Sequence, residues 1–345
     1  MNSLNFCTIL LTIFIFADTS FGLKANLEEH QKKSSYSKTL SKSLIGINIV
    51  KNKKESLKEL DLLAKSFIDE GSYNRALDIY DKILDQKPPR KKIFEYYVII
   101  GDLYNLKKDY NLSLEYYKKA LYIRKNNAEV MVKIGKIFFE GNLFELAEKM
   151  FLDALKIDKK SIKANRGLGD LFYKQGLYAK AINYYIKIPK EFYEREIIRN
   201  MADSYKNLNK INEAIDILEP FLEKHIDYEL MFDMGLIYMN MNNYEKAKEW
   251  LLKSLEVKAD NFKNCIYLAS LYDLTGEHKK AIELFNKAYD LDSSYASVDF
   301  MRASLAYKAG RIKEAKIYAN ESYKKAKSIF VKDQVTKLIK FLDRK

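Results

Sequence analysis

The sequence predicts an all-α chain, a right-handed α-solenoid of about eight helical hairpins closed by a C-terminal capping helix. Three observations carry this expectation. The 345 residues include only four Pro and twelve Gly, a composition that favours helix over sheet-rich folds. A small residue recurs at Ala76, Ser113, Ala147, Ala181, Ala214, Ala247, Ala281 and Ala315, with spacings of 37, 34, 34, 33, 33, 34 and 34. Twelve residues before each stands another small residue: Ala64, Gly101, Gly135, Gly169, Ala202, Gly235, Ala269 and Ala303.

The chain opens with residues 1–22, MNSLNFCTILLTIFIFADTSFG, which hold an uninterrupted run of low polarity from Phe6 to Phe16. That run is too short to span a bilayer core, which needs about twenty residues, but it suits the apolar region of a secretory signal. Ser20 and Gly22 would flank a cut before Leu23. The rival reading is an uncleaved N-terminal anchor in the inner membrane. Heavy Lys, Asn, Ile and Tyr usage points to an AT-rich bacterial source, so export points to the periplasm.

Residues 23–56 hold eight Lys against three Glu and read as a basic flexible linker. Its one apolar stretch is LIGINIV at 44–50. Residues 324–345 hold eight Lys or Arg against two Asp. The net charge of +13 is therefore concentrated at the two ends. Nucleic-acid binding would place it along a working surface instead, and no nucleic-acid partner is expected. The basic ends do allow peripheral contact with an anionic membrane surface.

Residues 57–329 form the repeat array. Three residues after the first small position come Phe67, Tyr104, Phe138, Phe172, Tyr205, Tyr238 and Tyr272, with Ala306 as the exception. Four residues after the second come Tyr80, Tyr117, Phe151, Tyr185, Leu218, Leu251 and Phe285, with Ala319 as the exception. Apolar spacings of three and four mark two amphipathic helices per repeat. Small residues let those helices approach, and the aromatics fill the groove beside the crossing. Each hairpin leaves an apolar face for the next to cover, so the units stack. Gly71, Asn142, Gly176, Asn209, Asn242, Gly276 and Gly310 stand where the turns should be, as helix C-termini prefer.

Two small and two aromatic positions recurring on a 34-residue period resemble the tetratricopeptide repeat family. The resemblance covers about four fifths of the chain. It departs from the family pattern in lacking a Trp near each repeat start and, except for Pro88, the closing Pro. Three irregularities stand out. The 37-residue step contains PPRKK at 88–92. Pro189 should stop a second helix early, and Pro220 falls inside another, where it removes a hydrogen bond. Residues 330–345 are read as the capping helix, with Ile329, Val331, Val335, Leu338, Ile339 and Leu342 on one face.

Catalytic chemistry is not expected. There is no phosphate loop, nucleophile elbow, HExxH or CxxC. Cys7, Cys265, His30, His225 and His278 show no metal-ligand spacing. Cys265 is expected to be a buried, inert thiol. No cofactor is expected.

The resemblance implies a protein or peptide segment as partner, bound on a concave surface lined by the first helix of each hairpin. Along repeats three to five its inward positions give a mixed-charge stretch of Lys136, Arg166, Asp170, Arg199, Asp203 and Lys206. Along repeats six to eight they give Phe232, Leu236, Met239, Ile266, Phe300 and Tyr307. The apolar run is the candidate site for a partner segment. The competing reading is that curvature buries these residues against neighbouring repeats or the cap. At the level of the whole chain, the expectation is a non-catalytic interaction scaffold of the bacterial envelope. The alternative is a structural envelope protein held at a membrane by an uncleaved N-terminus and basic ends.

Overall fold

A computed structural model describes residues 56–344. The predicted signal, and the linker up to residue 55 with its LIGINIV stretch, lie outside the described residues. Within them all regular structure is helical, with no strand. Two compact units divide the described residues between Asn209 and Lys210.

The N-terminal unit contains α1 (Leu57–Asp69), α2 (Tyr73–Asp85), α3 (Arg90–Leu106), α4 (Tyr110–Ile123), α5 (Ala128–Glu140), α6 (Phe144–Ile157), α7 (Ile162–Lys174), α8 (Tyr178–Tyr185) and α9 (Arg195–Asn207). The C-terminal unit contains α10 (Ile211–Leu222), α11 (Tyr228–Asn240), α12 (Tyr244–Val257), α13 (Phe262–Leu274), α14 (His278–Leu291), α15 (Ala296–Lys308), α16 (Ile312–Lys325) and α17 (Ile329–Leu342). Within each unit, helices pair as hairpins and each hairpin packs on the next. The two helices of the fifth repeat, α9 and α10, belong to different units.

The first small position works through the ring opposite it. A Cβ on Gly101 would lie 2.5 Å from the Tyr117 ring, and one on Gly169 would lie 2.5 Å from the Tyr185 ring. Phe151 is held from two sides, because a Cβ on Gly135 or on Gly167 of the next repeat would meet it at 2.7 and 2.6 Å. Gly235 stands in the same relation to Leu251. The fourth-after residues Tyr80, Tyr117, Phe151, Tyr185, Leu218, Leu251 and Phe285 are all fully buried. So the aromatic does not lie beside a crossing of two small residues: it is the contact that the first small residue makes room for.

At the second small position Ser113 takes the place of Ala, and its hydroxyl donates to the Gly101 carbonyl at 2.8 Å. Seven residues further on comes a third small position that the sequence reading missed, with Ala120, Ala154, Ser254, Ala288 and Ser322 all buried. The Ser254 and Ser322 hydroxyls there donate to the carbonyls of Tyr228 and Ala296, each at 2.7 Å.

Four aromatics of the first helices are covered by a cation from the second helix. Arg75, Lys180, Lys246 and Lys280 each precede the second small residue. They lie over the rings of Phe67, Phe172, Tyr238 and Tyr272 at 5.0–5.7 Å. A cation over a ring face gains about 0.5–1 kcal/mol at an exposed site, and its alkyl stem shields the ring edge from water.

Pro189 shortens α8 to eight residues and is followed by a 3-10 turn, Lys190–Phe192. Pro220 lies in the last turn of α10, which ends two residues later, so only one helical amide is lost. In the last repeat Ala306 and Ala319, both buried, replace the aromatics. Arg302 stacks between Tyr289 and Tyr318 at 4.2 Å from each. Buried Asp299 accepts from Arg302 at 3.3 Å and from Lys325 at 2.6 Å.

Helix α17 closes the unit through buried Val335, Leu338 and Leu342, with Val331 and Ile339 partly buried. Ile329 departs from the expected face and is 87% exposed. Two residues before Val331, it points about 200° around the helix from that seam.

All eight turns that join the two helices of a repeat place one residue in the left-handed region, always seven after the first small residue. Seven are the Gly and Asn residues read from the sequence, and the eighth is Lys108, with φ 61°. A side chain with a Cβ costs roughly 1–2 kcal/mol in that conformation. Replacement by Gly relieves the strain but loses part of the gain to unfolded-chain entropy. Lys108→Gly is therefore expected to raise stability by about 0.5–1 kcal/mol in urea unfolding. A loss of stability would show that the Lys108 side chain contributes more than its backbone costs.

Candidate functional site

The charged residues of the N-terminal unit are largely engaged with one another. Asp170 accepts from the Tyr185 hydroxyl at 2.6 Å and from Asn200 Nδ2 at 3.4 Å. Asn200 Nδ2 also donates to the Tyr185 hydroxyl at 3.1 Å. Arg166 pairs with Glu194 at 2.6 Å and lies 3.7 Å from Asp170. Asp203 accepts from the Tyr173 hydroxyl at 3.0 Å and lies 3.5 Å from Lys206. The structure thus brings Arg166, Asp170, Asp203 and Lys206 into contacts that tie α7, α8 and α9 together. Lys136 and Arg199 are exposed at this surface.

The same device recurs in repeat two, where Asp102 accepts from the Tyr117 hydroxyl at 2.6 Å and from Lys133 at 2.7 Å. In both cases a Tyr in the second aromatic position is paired with an Asp one residue after Gly. Tyr80 has Lys65 at that place instead, and its buried hydroxyl has no hydrogen-bond partner among the described residues. The joint occurrence of Tyr and Asp was visible in the sequence. The contributions of Tyr173, Asn200 and Glu194 were not, because they depend on how successive helices stack.

The apolar residues of the C-terminal unit divide into two sets. Met239, Ile266 and Phe300 are buried, at 7%, 1% and 5% exposure. They belong to the packed interior. Phe232, Leu236 and Tyr307 are half-buried and remain in reach of a partner. Phe232 on α11 meets Tyr267 on α13 edge-on at 5.4 Å. Tyr307 on α15 meets Phe341 on α17 edge-on at 5.1 Å. Tyr267 and Phe341 were not among the residues anticipated.

The buried set also had a signal. Helix α15 buries Val298, Phe300, Met301, Ala303, Leu305 and Ala306, too many for one face, and a helix apolar all round is an interior helix. Between the two aromatic pairs in sequence, buried Asp273 accepts two contacts from Lys308 Nζ, at 2.7 and 2.8 Å, and lies 2.9 Å from His278 Nδ1. A buried carboxylate needs such partners, and this cluster links the end of α13 to the start of α14 and the end of α15.

Cys265 is buried and free, and burial pushes its thiol pKa up. Among the described residues no group of three or more His, Cys, Asp or Glu is placed to hold a metal ion.

With this geometry in place, comparisons with known proteins bear on what the repeats are. Tetratricopeptide repeat models match residues 94–127, 132–189, 228–261 and 263–295. These matched segments are tetratricopeptide repeats. It is 25% identical over 310 residues to the TPR repeat-containing protein MJ1428 of Methanocaldococcus jannaschii, covering 73% of this chain and 53% of that protein. It is 22% identical over 232 residues to BBSome complex member BBS4 of Bos taurus, covering 66% of this chain and 44% of that protein. The chain thus spans about half the length of these relatives. A solved tetratricopeptide repeat protein from Parabacteroides merdae shares the fold, with TM-score 0.50 at 16% identity over 73% of this chain and 99% of that one. Proteins of this family generally mediate protein–protein interactions, and the scaffold is generally non-catalytic.

The polar network makes a pH-dependent prediction. Burial pushes the Asp170 carboxyl above the ordinary Asp range, outweighing the Tyr185 and Asn200 hydrogen bonds and the charges of Arg166 and Lys136. The folded chain therefore holds this proton more tightly than the unfolded chain. That stabilisation is present at low pH and is lost as pH rises through the folded pKa. Asp170→Asn cannot titrate, though its amide oxygen still accepts from Tyr185. Wild type is expected to gain stability relative to Asp170→Asn as pH falls from 7 to about 4, measured by urea unfolding of both proteins. A change of the opposite sign would mean that the ionised carboxylate is the favoured form.

Proposed function

We propose that the chain is a non-catalytic scaffold of the bacterial envelope that binds an apolar segment of a partner protein on its C-terminal unit. The observation that carries this reading is the half-buried pair Phe232–Tyr267 on the first helices α11 and α13, 5.4 Å between rings. Leu236 lies one turn along α11 from Phe232, and Tyr307 and Phe341 offer a second aromatic pair. A large apolar side chain fully buried on such a surface gains about 1.5–3 kcal/mol. Ordering costs consume much of that gain, so moderate affinity is expected. The charged surface of the N-terminal unit offers less, since most of its groups already have partners. Placement in the periplasm rests on residues 1–22 and on the codon-linked composition.

The test uses peptides selected from a random library against the full chain. The selected peptides should carry apolar residues at recurring positions. Phe232→Ser and Tyr267→Ser should each weaken them by roughly tenfold, the equivalent of about 1.4 kcal/mol, with the melting temperature nearly unchanged. Phe300→Ser should instead unfold the C-terminal unit, because removing a buried Phe costs about 3–5 kcal/mol. Peptides that bind both surface variants as tightly as wild type would place the binding surface elsewhere. A mature N-terminus at Leu23 in the native protein would support export and exclude the uncleaved anchor.

A further inference from the structure

The corner where α16 passes into α17 combines features that the repeat architecture does not require. Ile329 is 87% exposed, Phe330 50% and Tyr323 44%. These three apolar side chains sit at the end of one helix and the start of the next, and Lys324, Lys327 and Lys332 stand exposed among them. Lys332 Nζ lies 5.7 Å from the centre of the Tyr323 ring, which places the first turn of α17 beside the last turn of α16. The nearby carboxylates already have partners, Glu321 with Lys324 at 3.1 Å and Asp333 with Lys337 at 2.6 Å.

The buried seam of α17, Val335, Leu338 and Leu342, faces the repeat array. Ile329 and Phe330 are left outside it, at the opposite end of the helix from Leu342. A cap that only ended the array would carry polar residues at these places. A protruding aliphatic and two aromatics ringed by lysines match a lipid interface, where apolar groups enter the headgroup boundary and cations meet anionic lipid.

We propose that this corner docks on an anionic lipid bilayer. The occupant follows from the charge. A second copy bound through the same corner would set lysines against lysines, whereas an anionic surface attracts each of them. The docking is peripheral: no described helix is long and apolar enough to cross a membrane, and α17 has only 14 residues. Protein binding on Phe232 and Tyr267 and lipid docking at this corner use different side chains on different helices, so substitutions in the one leave the other intact.

The experiment is flotation of the full chain with vesicles of phosphatidylcholine alone or mixed with phosphatidylglycerol. Wild type should float with the anionic vesicles, less so as salt is raised, and stay unbound with the neutral ones. Lys327→Gln combined with Lys332→Gln should weaken binding about 25-fold, at about fivefold for each lysine near the surface. Ile329→Ser combined with Phe330→Ser should weaken it by at least about tenfold. These side chains are exposed, so melting temperatures should match wild type. All proteins compared share residues 1–56, so a difference between them is assigned to this corner and not to that segment. Wild-type failure to bind anionic vesicles, or variants that bind like wild type, would overturn the proposal. So would a concentration-dependent dimer in sedimentation that Phe330→Ser abolishes, since the corner would then belong to a second copy.

Discussion

The fold depends on one contact: a large side chain of the second helix seated where the first helix has little or no side chain. Tyr185 on Gly169, Tyr117 on Gly101 and Phe151 on Gly135 are instances of it. The contact sets the separation of the two helices in a hairpin and buries the largest side chain of the repeat. Phe151 also reaches Gly167 of the following repeat, so a single ring fixes both the hairpin and its stacking. Leu251 on Gly235 shows that the constraint is one of volume rather than aromatic character. The rest of the repeat is built around this seat, including the left-handed turn that reverses the chain and the cation that covers the outer aromatic.

Polar groups follow from the same arrangement. A fully buried Tyr brings its hydroxyl to the far side of the first helix, where it needs an acceptor. Asp102 and Asp170 supply it, one residue after the glycine, and Lys133 and Asn200 of the next repeat complete the set. Several charges that seem to face a groove therefore serve to hold neighbouring repeats in register. Groups that are only half covered, such as Phe232 and Tyr267, are better placed to meet a partner.

What the sequence made legible is what repeats with the helical period. The small and aromatic positions, seven of the eight turns and the shortening of α8 before Pro189 could be read directly, because each acts through spacing or backbone geometry. Lys108 was missed because its side chain gives no hint that its backbone is left-handed. Ile266 and Phe300 were expected on a surface because their positions are inward-facing, but neighbouring helices in the C-terminal unit cover them. Asp273 was missed because its partners, Lys308 and His278, come from the next helices. Ile329 was assigned to the capping seam on hydrophobicity alone, though its angle around α17 carries it away from that seam.

The most direct test of this account is a double-mutant cycle on Gly169 and Tyr185, with stability measured in urea. Gly169→Ala alone should cost about 1–3 kcal/mol, as overpacking does. In the Tyr185→Ala background the ring is gone, and the same substitution should be neutral or stabilise by up to about 1 kcal/mol through helix propensity. The coupling between the two sites should then be at least about 1 kcal/mol. Additive effects, with Gly169→Ala costing the same whether or not the ring is present, would contradict the claim that the seat for this ring governs the repeat.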